Sequence, residues 1–267
     1  MHLSFLFCHT RHNGNTIVKT WRNEHYEYHG QCDLMLTKDP NFAHGLGLEI
    51  QIRTKLVRYW SYIKNAAIRI GHDVLEVQGS HDSSKGLQYW INFHSQGPLD
   101  TVGGFPVSVL NKNNQAAKRQ VRIDLSSKYP GQAIVIETWK EFICVNFENP
   151  SAMAFGNTVG LLGNFKTGHT LGRDGATIMH DFRELGNEWQ VLPSEDMLFR
   201  ISEQPQFPKR CIEPEDPRGD RRRRLDESLI TTDEAEKACE SLKDELDCKD
   251  CIYDILATQD LAMAGAY

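Results

Sequence analysis

The chain has 267 residues, 40% hydrophobic and 25% charged, with a formal net charge of −6. That apolar content supports a sizeable core and excludes global disorder, and the acidic balance argues against a nucleic-acid partner. No apolar run reaches the length of a membrane-spanning helix.

Met1 to Phe7 is too short, and lacks the basic start, for a secretory signal. The chain is therefore intracellular, or its beginning is missing. No glycosylation sequon with a permitted middle residue occurs, so that mark of secretion is missing too. There are seven cysteines, an odd number that leaves at least one unpaired if the others pair internally.

In chain order, residues 8–20 are polar and turn-rich. Tyr26 and Tyr28 then alternate with polar neighbours, the period of a half-buried strand. On such a strand His25 and His29 share the opposite face as surface or packing residues. Leu48, Ile50, Ile52, Thr54 and Leu56 alternate with Glu49, Gln51, Arg53 and Lys55, a strong strand signal. Shorter alternations follow at Ile68–Ile70, Leu75–Val77, Tyr89–Ile91–Phe93, Val107–Val109 and Val121–Ile123–Leu125. Ala133 to Thr138 and Phe142 to Phe147 read as a hairpin around Trp139-Lys140-Glu141. Many short strands with turn residues between them predict a sandwich or barrel.

Gly160-Leu161-Leu162-Gly163-Asn164-Phe165 reads as a strand end that turns sharply, with buried leucines and glycines supplying backbone freedom. Leu185-Gly186-Asn187-Glu188-Trp189-Gln190-Val191 follows. Composition shifts to proline and charge over 205–217, then to Arg218-Gly219-Asp220 and Arg221 to Arg224, an exposed linker by composition. Thr231-Thr232-Asp233-Glu234 caps a predicted helix running to about Asp247, whose apolar face is Ala235, Ala238, Cys239, Leu242 and Leu246. Cys248-Lys249-Asp250-Cys251 leads into a second short helix over 252–263.

The Gly160–Phe165 turn, taken with Gly186, Asn187 and Trp189, resembles the signature of the von Willebrand factor type D domain. The signature residues are Gly160, Leu161, Gly163, Asn164, Phe165, Gly186, Asn187 and Trp189. Thr20, Trp21, Tyr26, Tyr28, Gly30 and Cys32 are similar to the opening of such domains, with Arg22 where the family has aspartate and Asn23 where it has glycine. The resemblance implies a mainly β fold, an antiparallel β-sandwich-like domain over residues 8–198. A charged Pro/Arg linker (199–232) and a small α-helical cysteine-containing tail (233–267) follow. The tail loosely resembles the cysteine-rich helical segment that often follows a type D domain.

The resemblance also implies a disulfide between Cys32 and Cys211. The family's other bond joins the opening cysteine to one inside the glycine turn. That position is Leu162 here, which leaves Cys8 free or in an intermolecular bond. The loop from Asn164 corresponds to a calcium-binding region in many type D domains. It offers Asn164, Asp174 and Asp181, but also Lys166, His169 and Arg173. Calcium takes six or more oxygen ligands, and Arg22 would repel it and pair with Asp174 or Asp181 instead. The expectation is therefore no metal and no calcium requirement.

Cys239, Cys248 and Cys251 are candidates for a metal half-site, a redox pair or structural disulfides. A zinc site lacks a fourth ligand, the closest histidine in sequence being His180. A redox motif lacks its βαβ context. Disulfides are the reading taken, with Cys239 bridged to Cys251 or Cys248. Cys144, between Ile143 and Val145, reads as an inert strand cysteine rather than a thiol nucleophile. The Arg-Gly-Asp and tetra-Arg motifs read as a solvated linker rather than a receptor or protease site. No phosphate loop or nucleophile elbow is present, so no catalytic or cofactor residue is assigned.

The expected function is a non-enzymatic extracellular interaction or structural module of an adhesive, matrix or mucus-like protein. It would bind other extracellular proteins or itself. The alternatives are a carrier of lipid or hydrophobic cargo, or an all-β enzyme with an unrecognised site.

Overall fold

A computed structural model describes residues 4–7, 17–57, 60–80, 87–95, 98–111, 118–201, 211–213, 230–242, 248, 251–252, 255–256 and 259–266. Cys8, Arg218-Gly219-Asp220 and Arg221 to Arg224 lie outside these residues, so the expectations attached to them stay there.

The strands in chain order are β1 (Ser4–Phe7), β2 (Ile17–Lys19), β3 (His25–Glu27), β4 (Asp33–Asp39), β5 (Leu48–Val57), β6 (Trp60–Ile70) and β7 (Asp73–Gln78). Then come β8 (Gln88–Ile91), β9 (His94–Ser95), β10 (Thr101–Val102), β11 (Phe105–Asn111), β12 (Lys118–Asp124), β13 (Ala133–Trp139) and β14 (Phe142–Glu148). They form two six-stranded antiparallel sheets, β1-β14-β13-β12-β11-β10 and β4-β5-β6-β7-β8-β9, beside the small hairpin β2-β3. The fold is mainly β and sandwich-like, as the alternating patterns predict.

The alternation places Leu48, Ile50 and Ile52 of β5, Ile68 and Ile70 of β6, and Leu75 and Val77 of β7 on one inner face. Val121 and Ile123 of β12, Ile134 and Ile136 of β13, and Val145 and Phe147 of β14 face them in one continuous core. Facing apolar sides of two antiparallel sheets make such a core. An aromatic cluster closes one end: Trp21 meets Phe147 edge-on at 4.9 Å, and Phe155 meets Phe147 at 5.2 Å. Phe42 joins Phe105, Tyr129 and Phe155 with centroids 5.5 to 6.0 Å apart.

Short helical turns punctuate the strands: α1 (Phe42–Gly45), α2 (Ala152–Phe155) and α3 (Phe182–Glu188). Within α1, Ala43 (φ 52°) and His44 (φ 65°) are left-handed, a conformation that costs an L-residue about 1–2 kcal/mol. The Tyr129 hydroxyl accepts the Ala43 amide at 2.9 Å and holds the turn. Phe93, expected to continue the alternation from Tyr89 and Ile91, lies instead in a left-handed turn (φ 66°) with Asn92 and is 47% exposed. The strand carrying Tyr26 stops at Glu27, so His25 and His29 do not share one strand face.

The largest departure is on the outer face of β5. Glu49, Gln51 and Arg53 look like solvent-facing residues of a half-buried strand, yet they are 2%, 0% and 3% exposed. The segment from Val191 to Ile201 lies across them. Leu198 and Phe199 pack on Ala67 of β6 and Val74 of β7. Cys211, 5% exposed, packs on the main core.

In the tail, α4 (Thr232–Cys239) starts with a capping box between Thr231 and Glu234. It ends before the expected Asp247, because the Leu242 amide turns back onto the Cys239 carbonyl at 3.1 Å. Ala235, Cys239, Cys251, Ile255 and Met263 bury one another, the last from a 3-10 helix over Leu261–Ala266. Trp139 and Phe142, at the tip of the β13–β14 hairpin, complete this small cluster, and Lys140 pairs with Asp260.

This seating has a consequence for proteolysis. Neither Cys32–Cys211 nor Cys239–Cys251 spans residues 218–224. Trypsin is expected to cut in that arginine run first. The two fragments are expected to co-elute under native conditions, held by Trp139 and Phe142, and, with neither of these bonds crossing the cut, to separate in detergent without reductant. First cleavage within the sheets contradicts the boundary.

Candidate functional site

The stretches that carry the family resemblance meet along β4. Lys38 and Val159 form an isolated bridge, the Leu161 amide donates to the Met35 carbonyl, and the Leu162 amide donates to that of Leu36, both at 3.2 Å. The approach is close because Gly160 has no side chain: a Cβ there would lie 2.8 Å from the Leu36 carbonyl oxygen, at φ +119°. From the other side, the Met35 amide donates to the Trp189 carbonyl at 2.7 Å and the Val191 amide to that of Asp33 at 2.9 Å. β4 thus runs between the Gly160 turn and the Trp189 segment.

The β2–β3 hairpin and the residues after it tie the two together. The Tyr26 hydroxyl donates to the Leu161 carbonyl at 2.8 Å, and its ring stacks on Phe182 of α3 at 4.2 Å. The Tyr28 hydroxyl donates to Asn187 Oδ1 at 3.0 Å. Gly186 is required here, since a Cβ would fall 2.2 Å from the Tyr28 ring. Burial, with the neighbouring Tyr28, pushes the Tyr26 hydroxyl well above its ordinary pKa. Burial, then the charge of Glu213, pushes Tyr28 up as well, against the opposing charge of Arg183. Both phenols are packing anchors that stay neutral.

Asn164 and Asp174 are committed to their own loops. Asn164 Oδ1 accepts from the Thr167 amide at 2.9 Å and the Thr167 hydroxyl at 3.2 Å. Phe165 meets Trp21 edge-on at 5.1 Å. Asp174 accepts from the Ala176 and Thr177 amides at 3.0 and 2.9 Å and from the Thr177 hydroxyl at 2.5 Å. Asp181 caps α3, accepting from the Arg183 and Glu184 amides. Arg22 donates to the Thr167 carbonyl, and Gly168 lies against its side chain. The expected ion pair of Arg22 with Asp174 or Asp181 does not form, because both carboxylates are already taken by backbone amides of their own turns. Among the described residues, no group of three or more His, Cys, Asp or Glu is placed to hold a metal ion.

The Thr177 hydroxyl, then the Thr177 and Ala176 amides, hold the Asp174 carboxyl at about 2. Its contribution to the turn is present above the ordinary carboxylate pKa and is lost as pH falls through about 2. An NMR titration of the Ala176 and Thr177 amides is expected to give that low midpoint. A midpoint near 4, the ordinary aspartate value, contradicts the bonding.

Arg173, read from the sequence only as a charge hostile to calcium, organises the start of the covering segment. Its guanidinium donates to the Glu188 and Gln190 carbonyls, both at 2.7 Å, and to Glu195 at 2.8 Å, and lies 4.8 Å over the Trp189 ring. Burial raises the Glu195 carboxyl; the Arg173 bond, the Leu192 amide, and the charges of Arg173 and Lys38 outweigh that and leave it lowered.

Beneath the segment runs a ladder of paired charges. Glu49 receives Lys38 at 3.3 Å, Gln51 at 2.7 Å and the Arg69 guanidinium. Arg53 holds Asp33 through two bonds, at 2.6 and 2.8 Å, donates to the Ile201 carbonyl at 2.7 Å and stacks 4.3 Å from Phe199. Glu76 accepts from the Arg200 amide at 2.7 Å, and Gln51 bonds both the Asp196 carbonyl and the Leu198 amide. These side chains replace the sheet ladder that an irregular covering segment cannot form. No spacing rule marked them, because their partners lie far along the chain.

Two further stretches reach the chain at and just before β4. Leu34 bridges Gln190. Gln31 bridges Ile212, and Cys32 is disulfide-bonded to Cys211 with Cα atoms 5.1 Å apart. Cys239 is bonded to Cys251, and Cys248 is a free cysteine. Cys144 is also disulfide-bonded, so it carries no nucleophilic thiol.

No protein-family model matches the chain, and no curated protein matches it.

Proposed function

We propose that the chain is a non-enzymatic extracellular interaction or structural module with the organisation of a von Willebrand factor type D domain. The observation that carries this reading is the Cys32–Cys211 disulfide, which joins residues 179 apart. Structural disulfides form and persist in oxidising compartments. Two further features support the type D reading: both signature stretches bond to β4, and Tyr26 and Tyr28 stitch them together. Asn164, Asp174, Asp181 and Arg173 serve local structure, which suits a scaffold whose partners are other extracellular proteins or further copies of itself. No described helix is long and apolar enough to cross a membrane.

Two measurements test the reading. Produced through an oxidising secretory route, the protein is expected to give one protease-resistant β core. Produced in a reducing cytosol, it gives a core that is digested. Equal resistance of the two preparations overturns the extracellular assignment. Melting with and without a chelator is expected to coincide, since Asn164 and Asp174 are saturated by hydrogen bonds and Arg22 occupies the loop. A large calcium-dependent rise in melting temperature contradicts the account of the loop.

A further inference from the structure

The three tail cysteines differ in exposure and bonding. Cys239 and Cys251, which form the bond, are both 0% exposed. A thiol in solution must reach a sulfur to break a disulfide, and neither sulfur is reachable. Cys248 is a free thiol, half-buried, and packs against the same cluster as the bond. It is the one cysteine of the three that is partly exposed, and it packs on the cluster that holds the bond.

We propose that Cys248 is an internal exchange thiol that makes the buried tail disulfide reactive toward exogenous thiols. The Cys248 thiol loses its proton to water, and the thiolate attacks Sγ of Cys239. A Cys239–Cys248 bond forms, the Cys239–Cys251 bond breaks, and Cys251 leaves as a thiolate that takes up a proton. One disulfide and one thiol stand on each side, so no oxidant or reductant is consumed. The loops closed by Cys239–Cys248 and Cys239–Cys251 differ little in length, so chain entropy hardly separates the two bonds.

Isomerisation brings a half-exposed sulfur into the bond. A small-molecule thiol or a partner's cysteine can then attack it, forming a mixed disulfide at Cys248 and leaving Cys239 as a thiol. Cys32–Cys211 has buried sulfurs, 3% and 5% exposed, and stays closed under the same conditions.

The test uses the full oxidised chain. After incubation at pH 8.5 it is alkylated with N-ethylmaleimide and its peptides are mapped without reduction. The label is expected on Cys248 at the start, then increasingly on Cys251, together with a Cys239–Cys248 crosslinked peptide. With dithiothreitol as the exogenous thiol, the tail bond is expected to open before Cys32–Cys211. In Cys248→Ser it opens at least tenfold more slowly, and Cys248→Ala serves as the second variant. Label confined to Cys248 at all times, or equal opening rates in wild type and both variants, overturns the proposal. Neither result bears on the extracellular reading, which rests on Cys32–Cys211.

Discussion

Replacing Cys32 and Cys211 together by alanine is expected to remove about 5 kcal/mol of stability. The two residues are 179 apart in sequence, and a closed loop of that size restricts the unfolded chain by about 5 kcal/mol in the chain-entropy model. Domains of this kind have net stabilities of roughly 5–15 kcal/mol, so the loss is a large fraction of the whole. The same change at Cys239 and Cys251, which are 12 apart, costs about 3 kcal/mol by the same relation and acts on the tail. Urea unfolding followed by tryptophan fluorescence separates the two. The Cys32/Cys211 variant shifts the main transition strongly. A loss below about 1 kcal/mol there contradicts the idea that this bond staples the domain.

The second large effect is at Arg53. The residue is 3% exposed and holds Asp33 through two bonds. Arg53→Met removes both bonds that the buried Asp33 carboxylate accepts from Arg53, which costs about 3–5 kcal/mol. The loss is larger than that of a surface pair, about 0–1 kcal/mol, because neither group can regain its water. Adding Asp33→Leu removes the buried carboxylate as well, so the double variant recovers part of the loss. Recovery is incomplete, since the Arg53 bond to the Ile201 carbonyl and its stacking on Phe199 stay broken. A double-mutant cycle by urea unfolding measures the coupling. An Arg53→Met variant within 0.5 kcal/mol of wild type contradicts the picture of a buried charge ladder.

Much of the sandwich was legible because its inner faces obey a simple period. Leu48, Ile50 and Ile52 alternate cleanly, and so do Val121 and Ile123, and each set lies where the period puts it. The hairpin over Trp139-Lys140-Glu141 follows from two apolar runs with a short polar break. The outer face was not legible. Glu49, Gln51 and Arg53 carry the polarity of a wet surface, and only Leu198 and Phe199, far along the chain, reveal that the surface is covered. Period-2 patterns report polarity, and polarity equals exposure only when no later segment supplies matching partners. Arg22 shows the same limit at short range. Its charge suggested an ion pair, but the carboxylates of Asp174 and Asp181 were already satisfied by amides of their own turns. The left-handed turn at Ala43 and His44 left no trace in residue type, since glycine would have been the natural signal.

The central claim is that this β module lives in an oxidising environment, closed by the long-range Cys32–Cys211 disulfide. Protein taken from its native source, alkylated without reduction and mapped by peptide, tests it directly. The account predicts a peptide in which Cys32 is crosslinked to Cys211, with neither cysteine alkylated. Alkylated Cys32 and alkylated Cys211, found together, contradict both the pairing and the extracellular assignment.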